Sequence, residues 1–483
     1  MYLSKLLPMT ATLINPREVN IEHLCHAAWD ARPGSLFFCI EGSRTDGHNY
    51  AAEALSAGAV ALVVSKKLDT DVPQILVSDT RAAMSEIAAT FYGYPTGKLR
   101  IVGITGTNGK TTTSYIVAKI IETAGQKTAI IGTNGIICNG QTSPSLHTTP
   151  DPIELQSTFA RLVADGIKYV VMEVSAHAIH QRKIAGVFAD ATAFTNLSQD
   201  HLDYFGTMER YGNTKASYFD RLYGKLAVVN ADDEWGQRII RQTNMPVLTY
   251  GYVDGESKSL PDICATEFSQ NAKGLSYKLT IRGFTVPIIY QTPGKFNMYN
   301  TVCAASIAYG LGIGLKDIAK GIAALKSVEG RFDVIEGKCN VIIDYAHTED
   351  GLLGILSCIE EFAPARIITV FGAGGDRDKT KRKAMGRAVA AYSNLAVITS
   401  DNPRFEDPNE IIKEVAKGFE GSVCQMVCIE NRKEAIIYAI EQANKDDIVL
   451  VAGKGAEKYQ EIKGVRHEFS DYECVEVQLG IRS

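Results

Sequence analysis

The stretch "IVGITGTNGKTTT", residues 101–113, contains the residue types that cradle a phosphate. Gly106, Asn108 and Gly109 predict a tight turn after an apolar strand, and Lys110, Thr111 and Thr112 open a helix. Backbone N–H groups unblocked by Cβ atoms, the partial positive charge of a helix N-terminus and an ammonium group together suit the terminal phosphates of a nucleotide. Thr111 is then placed as a Mg²⁺ ligand. The usual phosphate-loop pattern asks for Gly six residues before the lysine, where this chain has Ile104. A strand-to-helix turn rich in Gly for steric reasons only is the alternative.

Further candidates follow along the chain. "YVVMEVSAHAIHQRK" delivers Glu173 to the C-terminal end of a buried strand, where open parallel sheets bind ligands, so Glu173 is a candidate metal ligand. Taken alone, such a Glu is more often a solvated carboxylate. In "AFTNLSQDHLDYFGTMERYGNTKASYF" an apolar strand ends in a polar turn with Asp200, His201 and Asp203, and an isolated His is as readily structural as functional. In "TPGKFNMYNT", Asn297 and Asn300 stand one helical turn apart. Their amides suit a purine edge or, equally, a helix cap.

These residues need a scaffold of alternating strands and helices. "GSLFFCI" and "AVALVVS" read as buried strands flanking the helical "NYAAEALSAGA", which predicts a small N-terminal α/β domain. The turn-rich "GYPTGKLR" marks a boundary near residue 98. After it, "IVGIT", "TAIIG" and "YVVMEV" alternate with amphipathic helical segments, as in a mostly parallel sheet covered on both faces. From about residue 333, "NVIIDYAH", "RIITVFG", "LAVITS" and "DIVLVAG" predict a third, Rossmann-like α/β unit. The expected domains are therefore 1–98, 99–333 and 334–483, with a phosphate-loop ATPase-like sheet in the middle.

Composition narrows the partners. A chain of 483 residues with 45% hydrophobic and 22% charged residues is too long for one core and ordinary for a soluble protein. A formal net charge of -5 gives no reason to expect nucleic acid or an anionic membrane as partner, so small molecules are expected. The N-terminus lacks a signal-like apolar run, and no segment approaches the roughly 18 apolar residues of a membrane span. Ten scattered cysteines without a CxxC pair suit reduced thiols in a cytoplasmic protein.

Taken in chain order, TGTNGKTTT, TTPD, EVSAH, TNLSQDHLDY, the lysine of YGNTKASYF, FNMYN, EGR, DYAHT, GAGGDRD and DNPR resemble the motifs of the Mur ligase family. These are ATP-dependent ligases that build the peptide stem of bacterial peptidoglycan. GGDRD and DNPR are most similar to the branch that adds the third residue of the stem. Ile104 is normal in that family, whose loop pattern Gly-x-x-Gly-x-Asn-Gly-Lys-Thr is satisfied from Gly103 to Thr111.

The resemblance implies ATP and Mg²⁺ as cofactors. It assigns Gly106, Thr107, Asn108, Gly109, Lys110, Thr111 and Thr112 to the phosphates, with Arg331 beside them. Asn297 and Asn300 go to adenine and its surroundings, and Asp344 and His347 to ribose and base. Thr111, Glu173, His201 and a carbamylated Lys215 would hold the metal, and Lys110, Glu173, His201 and Lys215 form the catalytic set. Ser43, Thr148, Thr149, Ser175, Gln181 and Lys183 would bind the UDP-N-acetylmuramoyl dipeptide. Arg377, Asp401, Asn402, Pro403, Arg404, Gly453 and Glu457 would bind meso-diaminopimelate, whose distal carboxylate Arg404 can take in bidentate fashion. A cytoplasmic monomer is expected.

Several acceptor-side positions depart from the family pattern. Ala27, Ala28 and Trp29 stand where relatives carry Asp-Ser-Arg, Ala176 replaces a Ser, Lys183 an Arg, Ala456 a His and Glu349 a Pro. Either the lineage has drifted, with Trp29 stacking on uracil, or a paralogue ligates the same kind of amino acid to a different carboxylate. A phosphate-loop ATPase switch without ligase activity is a further alternative, although it has no use for DNPR and GGDRD.

Overall fold

The computed structural model describes all residues except 43–44, 256–259, 364 and 483. Ser43 therefore lies outside the described residues. The expected α/β class is found throughout. The chain forms two compact units, one of residues 1–103, 126–192 and 217–226, the other of 104–125, 193–216 and 227–483.

In the first unit, the strands Thr12–Ile14, Gln74–Leu76, Ala59–Val64, Ser35–Phe38 and His23–Cys25 form a five-stranded sheet in that order. Only Thr12–Ile14 runs antiparallel to its neighbour. Alternation in Leu36-Phe37-Phe38-Cys39 sends Leu36 and Phe38 into one buried cluster and Phe37 and Cys39 into another, so helices cover both faces. The same unit pairs Tyr169–Glu173 in parallel with Thr128–Gly132, which places Glu173 at the strand's carboxyl end.

In the second unit, helix Lys110–Thr123 follows the phosphate loop. The segment 227–290, which the sequence motifs leave unread, forms parallel strands Ala227–Asn230, Val247–Tyr252 and Ile263–Asn271. An antiparallel meander, Gly274–Ile281 and Phe284–Tyr290, continues it.

The C-terminal part of this unit builds a six-stranded sheet in the order Asp333–Ile335, Asn340–Asp344, Ile448–Ala452, Ile367–Phe371, Leu395–Ile398 and Gln425–Cys428. All strands but the first are parallel. Val341 and Ile343 enter one buried cluster and Ile342 the other, so both faces are covered here too. The last parallel strand inserts between the first two that precede it, and this reversal of strand order opens a crevice at the carboxyl ends. Asp344, Gly372, Thr399 and Gly453 each directly follow or end one of those strands. The motifs DYAHT, GAGGDRD and DNPR and the segment 453–457, GKGAE, thereby converge.

A buried ion pair holds two of these motifs together. Arg382, 1% exposed, donates to Glu406 Oε1 (2.8 Å), Glu406 Oε2 (3.0 Å), Glu414 Oε2 (2.8 Å) and Gly374 O (3.3 Å). Glu406 Oε1 also accepts the Asp376 N–H at 2.6 Å. The Arg382 hydrogen bond holds the Glu406 carboxyl down at about 2, against an ordinary value of 4.5. Because the folded value is depressed, this pair stabilises the fold fully above pH 4.5 and loses its effect as the pH falls toward about 2. Glu406→Gln is expected to cost roughly 2 kcal/mol in urea unfolding at neutral pH, less than a wholly buried pair because Glu414 keeps one edge of the guanidinium. The deficit should shrink when unfolding is measured near pH 3, and an equal deficit at both pH values would exclude the ion pair as its cause.

Candidate active site

The phosphate loop occupies residues 106–109, between strand Arg100–Thr105 and helix Lys110–Thr123. Gly109 caps that helix at φ +84°, and an added Cβ there would collide with Asn300 Oδ1. At Gly106 a Cβ would collide with Thr195 Oγ1. Glycine is thus required at both positions, by backbone conformation (φ +149° at Gly106) and by crowding.

The loop is braced by residues whose role sequence reasoning missed. Thr107 N–H donates to Asn196 O (2.9 Å) and Asn108 N–H to Asn196 Oδ1 (3.0 Å). Thr195 Oγ1 donates to Asn108 O (2.7 Å), and Ser198 N–H to Thr107 Oγ1 (3.1 Å). Thr107 and Asn108 therefore spend their amides on shaping the loop. Residues 109–112 form the N-terminal turn of this helix, and the first amides of a helix are the groups that bind an anion such as phosphate. The legible signal was a Thr-Asn-x-Ser run directly after a strand.

Two lysines converge on the loop. Lys110 Nζ donates to Gly106 O (3.1 Å) and Thr107 O (2.8 Å), and Lys215 Nζ donates to the same Gly106 O at 2.7 Å. Lys215 is 1% exposed and lies over the Tyr211 ring at 4.7 Å. Burial, then the Lys110 charge, depress its amine well below the ordinary lysine range, with Asp200 opposing in part. Arg331 Nη2 donates to Thr111 Oγ1 at 3.0 Å while its guanidinium stacks 4.3 Å from the Tyr345 ring centre.

Asp200 is the hub of the neighbouring turn. Its carboxylate lies 3.3 Å from Lys381 Nζ, 3.4 Å from His201 Nε2 and 3.8 Å from His347 Nε2. Burial would raise this carboxyl, but His347 and the Lys381 and His201 charges outweigh it and hold Asp200 well below the usual carboxylate range. Asp344 accepts the N–H groups of Phe332 (2.8 Å) and Ala346 (2.7 Å), which ties the Arg331 segment to the DYAH turn. Asn297 and Asn300 are buried in helix Lys295–Gly310 and bond to each other at 3.2 Å, with Asn297 Nδ2 also on Pro293 O.

At the converging strand ends, Arg404 adopts φ +50° and its Nη1 donates to Gly375 O at 2.6 Å. Asn402 Nδ2 donates to Glu457 Oε2 at 3.0 Å, and the wholly buried Lys454 donates to both Asn402 Oδ1 and Glu457 Oε2 at 3.0 Å. Gly453 abuts Asp401, whose carboxyl the Lys454 and Arg432 charges hold low against the effect of burial. Arg377 Nη1 lies 4.0 Å from Asp203 Oδ2. Lys454 and Arg432 were not foreseen as parts of this site.

The first unit holds the remaining candidates, among them Glu173, which is 1% exposed. Glu173 accepts from Thr133 N–H (2.9 Å) and Thr133 Oγ1 (3.1 Å), and Thr149 Oγ1 donates to its carbonyl at 2.9 Å. Thr148 Oγ1 is 3.2 Å from Thr133 Oγ1, Ser175 caps helix Ala176–His180, which Gln181 follows, and Lys183 pairs with Asp151 at 2.8 Å. Trp29 stands 85% exposed on a short 3₁₀ turn.

The chain matches the "Mur ligase family, catalytic domain" over residues 20–92, the "Mur ligase middle domain" over 104–308 and the "Mur ligase, glutamate ligase domain" over 330–455. It is 42% identical over 448 residues to the UDP-N-acetylmuramoyl-L-alanyl-D-glutamate--2,6-diaminopimelate ligase of Geobacillus thermodenitrificans, covering 91% of each chain. The chain belongs to the Mur ligase family.

The ligase of the same name from Caldanaerobacter subterraneus is 40% identical over 465 residues, covering 95% of each chain. Among solved Mur ligases, a UDP-N-acetylmuramoyl-L-alanyl-D-glutamate--2,6-diaminopimelate ligase superposes with a TM-score of 0.67 at 30% identity, covering 95% of both chains. The MurF ligase of Thermotoga maritima in complex with ADP shares the fold, with a TM-score of 0.65 at 18% identity over 96% of this chain and 99% of that one. Among the described residues no helix is long and apolar enough to cross a membrane, and all ten cysteines are free thiols.

Proposed function

We propose that this Mur ligase joins meso-diaminopimelate to UDP-N-acetylmuramoyl-L-Ala-D-Glu with cleavage of ATP to ADP and phosphate. The observation that carries this reading is the pairing, within one compact unit, of a lysine-bearing phosphate loop with the Arg404 site at the converging strand ends. A ligase needs both, one to activate a carboxylate and one to present an amine.

In the first step a D-Glu carboxylate oxygen attacks the γ-phosphorus, the bond to the ADP oxygen breaks, and an acyl phosphate forms. Lys110 leaves its resting contacts on Gly106 O and Thr107 O to follow the charge on the transferring oxygens. In the second step the amine attacks the acyl carbonyl, phosphate leaves, and the nitrogen loses a proton. No nucleophilic side chain is required, because holding the reactants in line removes much of the barrier.

The donor set fits Mg²⁺ only if Lys215 is carbamylated. As ammonium groups, Lys215 and Lys110 crowd one carbonyl oxygen and would repel a cation. A lysine whose amine is depressed by burial and by Lys110 is readily carboxylated by CO₂ and then offers anionic oxygens. Within the second unit, Thr111, His201 and the carbamate would hold the ion, which supplies charge neutralisation at the phosphates. Thr148, Thr149, Ser175, Gln181 and Lys183 would bind the dipeptide nucleotide, and Trp29, being so exposed, can stack on uracil. This reading puts the enzyme in the cytoplasm as a monomer, with three working domains of residues 1–98, 99–333 and 334–483.

Phosphate release measured with the muramoyl dipeptide nucleotide and either meso-diaminopimelate or L-lysine tests the reading. Release should require both substrates and favour meso-diaminopimelate. No turnover with this acceptor would point to a different carboxylate, and release without either substrate to an ATPase switch.

A further inference from the structure

The hairpin Tyr459–Ile462 and Val465–Glu468 is stitched onto the DNPR loop. Gln460 Nε2 donates to Asp401 O (2.6 Å), Glu461 N–H to Asn402 Oδ1 (2.9 Å), Arg404 N–H to Glu461 O (3.0 Å) and Lys463 N–H to Arg404 O (2.7 Å). This backbone lock fixes where the Glu461 side chain starts. Its Oε2 accepts from Arg404 Nε at 3.3 Å. Arg404 meanwhile gives one Nη1 hydrogen to Gly375 O, so its Nη2 edge is left for a ligand carboxylate.

The distal end of meso-diaminopimelate is an ammonium and a carboxylate on one carbon. A guanidinium alone matches only half of it. Glu457 already shares its Oε2 with Lys454 and Asn402, whereas among the described residues the Glu461 carboxylate is hydrogen-bonded to Arg404 alone. We propose that Glu461 is a specificity-determining residue that binds the distal ammonium while Arg404 binds the distal carboxylate. The pair is a fixed cation and anion set one hydrogen-bond length apart, complementary to a zwitterionic carbon. The proposal rests on the function given above and adds a residue to it.

L-2-Aminopimelate keeps the distal carboxylate and lacks the distal amine, so it separates the two contacts. Glu461→Gln should raise KM for meso-diaminopimelate about 10-fold, with KM for ATP and the melting temperature unchanged, and should leave KM for L-2-aminopimelate as in the wild type. Glu461→Asp should recover part of the meso-diaminopimelate affinity. An equal rise for both amino acids would mean that Glu461 only orients Arg404, and a fall for both that it competes with the substrate. Either result, or no change, overturns the assignment. A wild-type enzyme inactive with meso-diaminopimelate would instead overturn the underlying function, and the assignment with it.

Discussion

Lys215→Ala is expected to lower ligation about 10³-fold, equivalent to ~4 kcal/mol of transition-state stabilisation, and to regain part of that with added formate, acetate or propionate. Lys215 Nζ sits 2.7 Å from Gly106 O and shares this oxygen with Lys110, which is an unfavourable place for a second positive charge. Burial and Lys110 keep the amine depressed, so its lone pair is available to CO₂. The N–C bond forms, one amine proton is released, and a neutral amine becomes a −1 group beside the phosphate loop. Alanine removes both the carbamate and the side chain, leaving space that a small carboxylate can fill. Rescue that follows carboxylate size, measured as phosphate release at saturating ATP, is the signature of a missing anion. Full activity of the unrescued variant would end the carbamate proposal.

The second large effect is expected at Arg404. Arg404→Lys should lower kcat/KM for meso-diaminopimelate about 10²-fold while changing kcat/KM for L-lysine little, so that the preference between them collapses. Lysine keeps the charge but not the planar fork, and a single ammonium cannot reach Gly375 O, Glu461 and a ligand carboxylate together. Arg404 also sits in left-handed backbone at φ +50°, held by N–H and C=O bonds to Glu461 and Lys463, so the substitution alters the fork without freeing the loop. Unchanged discrimination in competition between the two amino acids would remove Arg404 from the specificity site.

Much of this molecule was legible along the chain because its strands are short, apolar and followed by amphipathic helices. "TAIIG", "YVVMEV", "RIITVFG" and "DIVLVAG" are all strands of parallel sheets. The residues 263–290 were not read, because half-exposed strands such as Ile263–Asn271, which pairs antiparallel with Gly274–Ile281, mix polar and apolar side chains. The hairpin at 459–468 escaped for the same reason, and with it Glu461. Thr195 and Asn196 were visible only as a polar turn, since a hydrogen bond across 87 or 88 positions leaves no local pattern.

By itself the sequence determined the phosphate loop and its lysine, since Gly106, Gly109 and Lys110 carry their chemistry in backbone freedom and charge. It also determined the α/β class, through hydrophobic periodicity, and the amino-acid motif DNPR. Only the tertiary structure decided that Lys215 shares a carbonyl with Lys110, that Asn196 takes the amides of Thr107 and Asn108, and that Glu461 lies on Arg404. Residue type and spacing record what a side chain can do, whereas burial and charge proximity arise when segments far apart in the chain pack together, and these set what each side chain does.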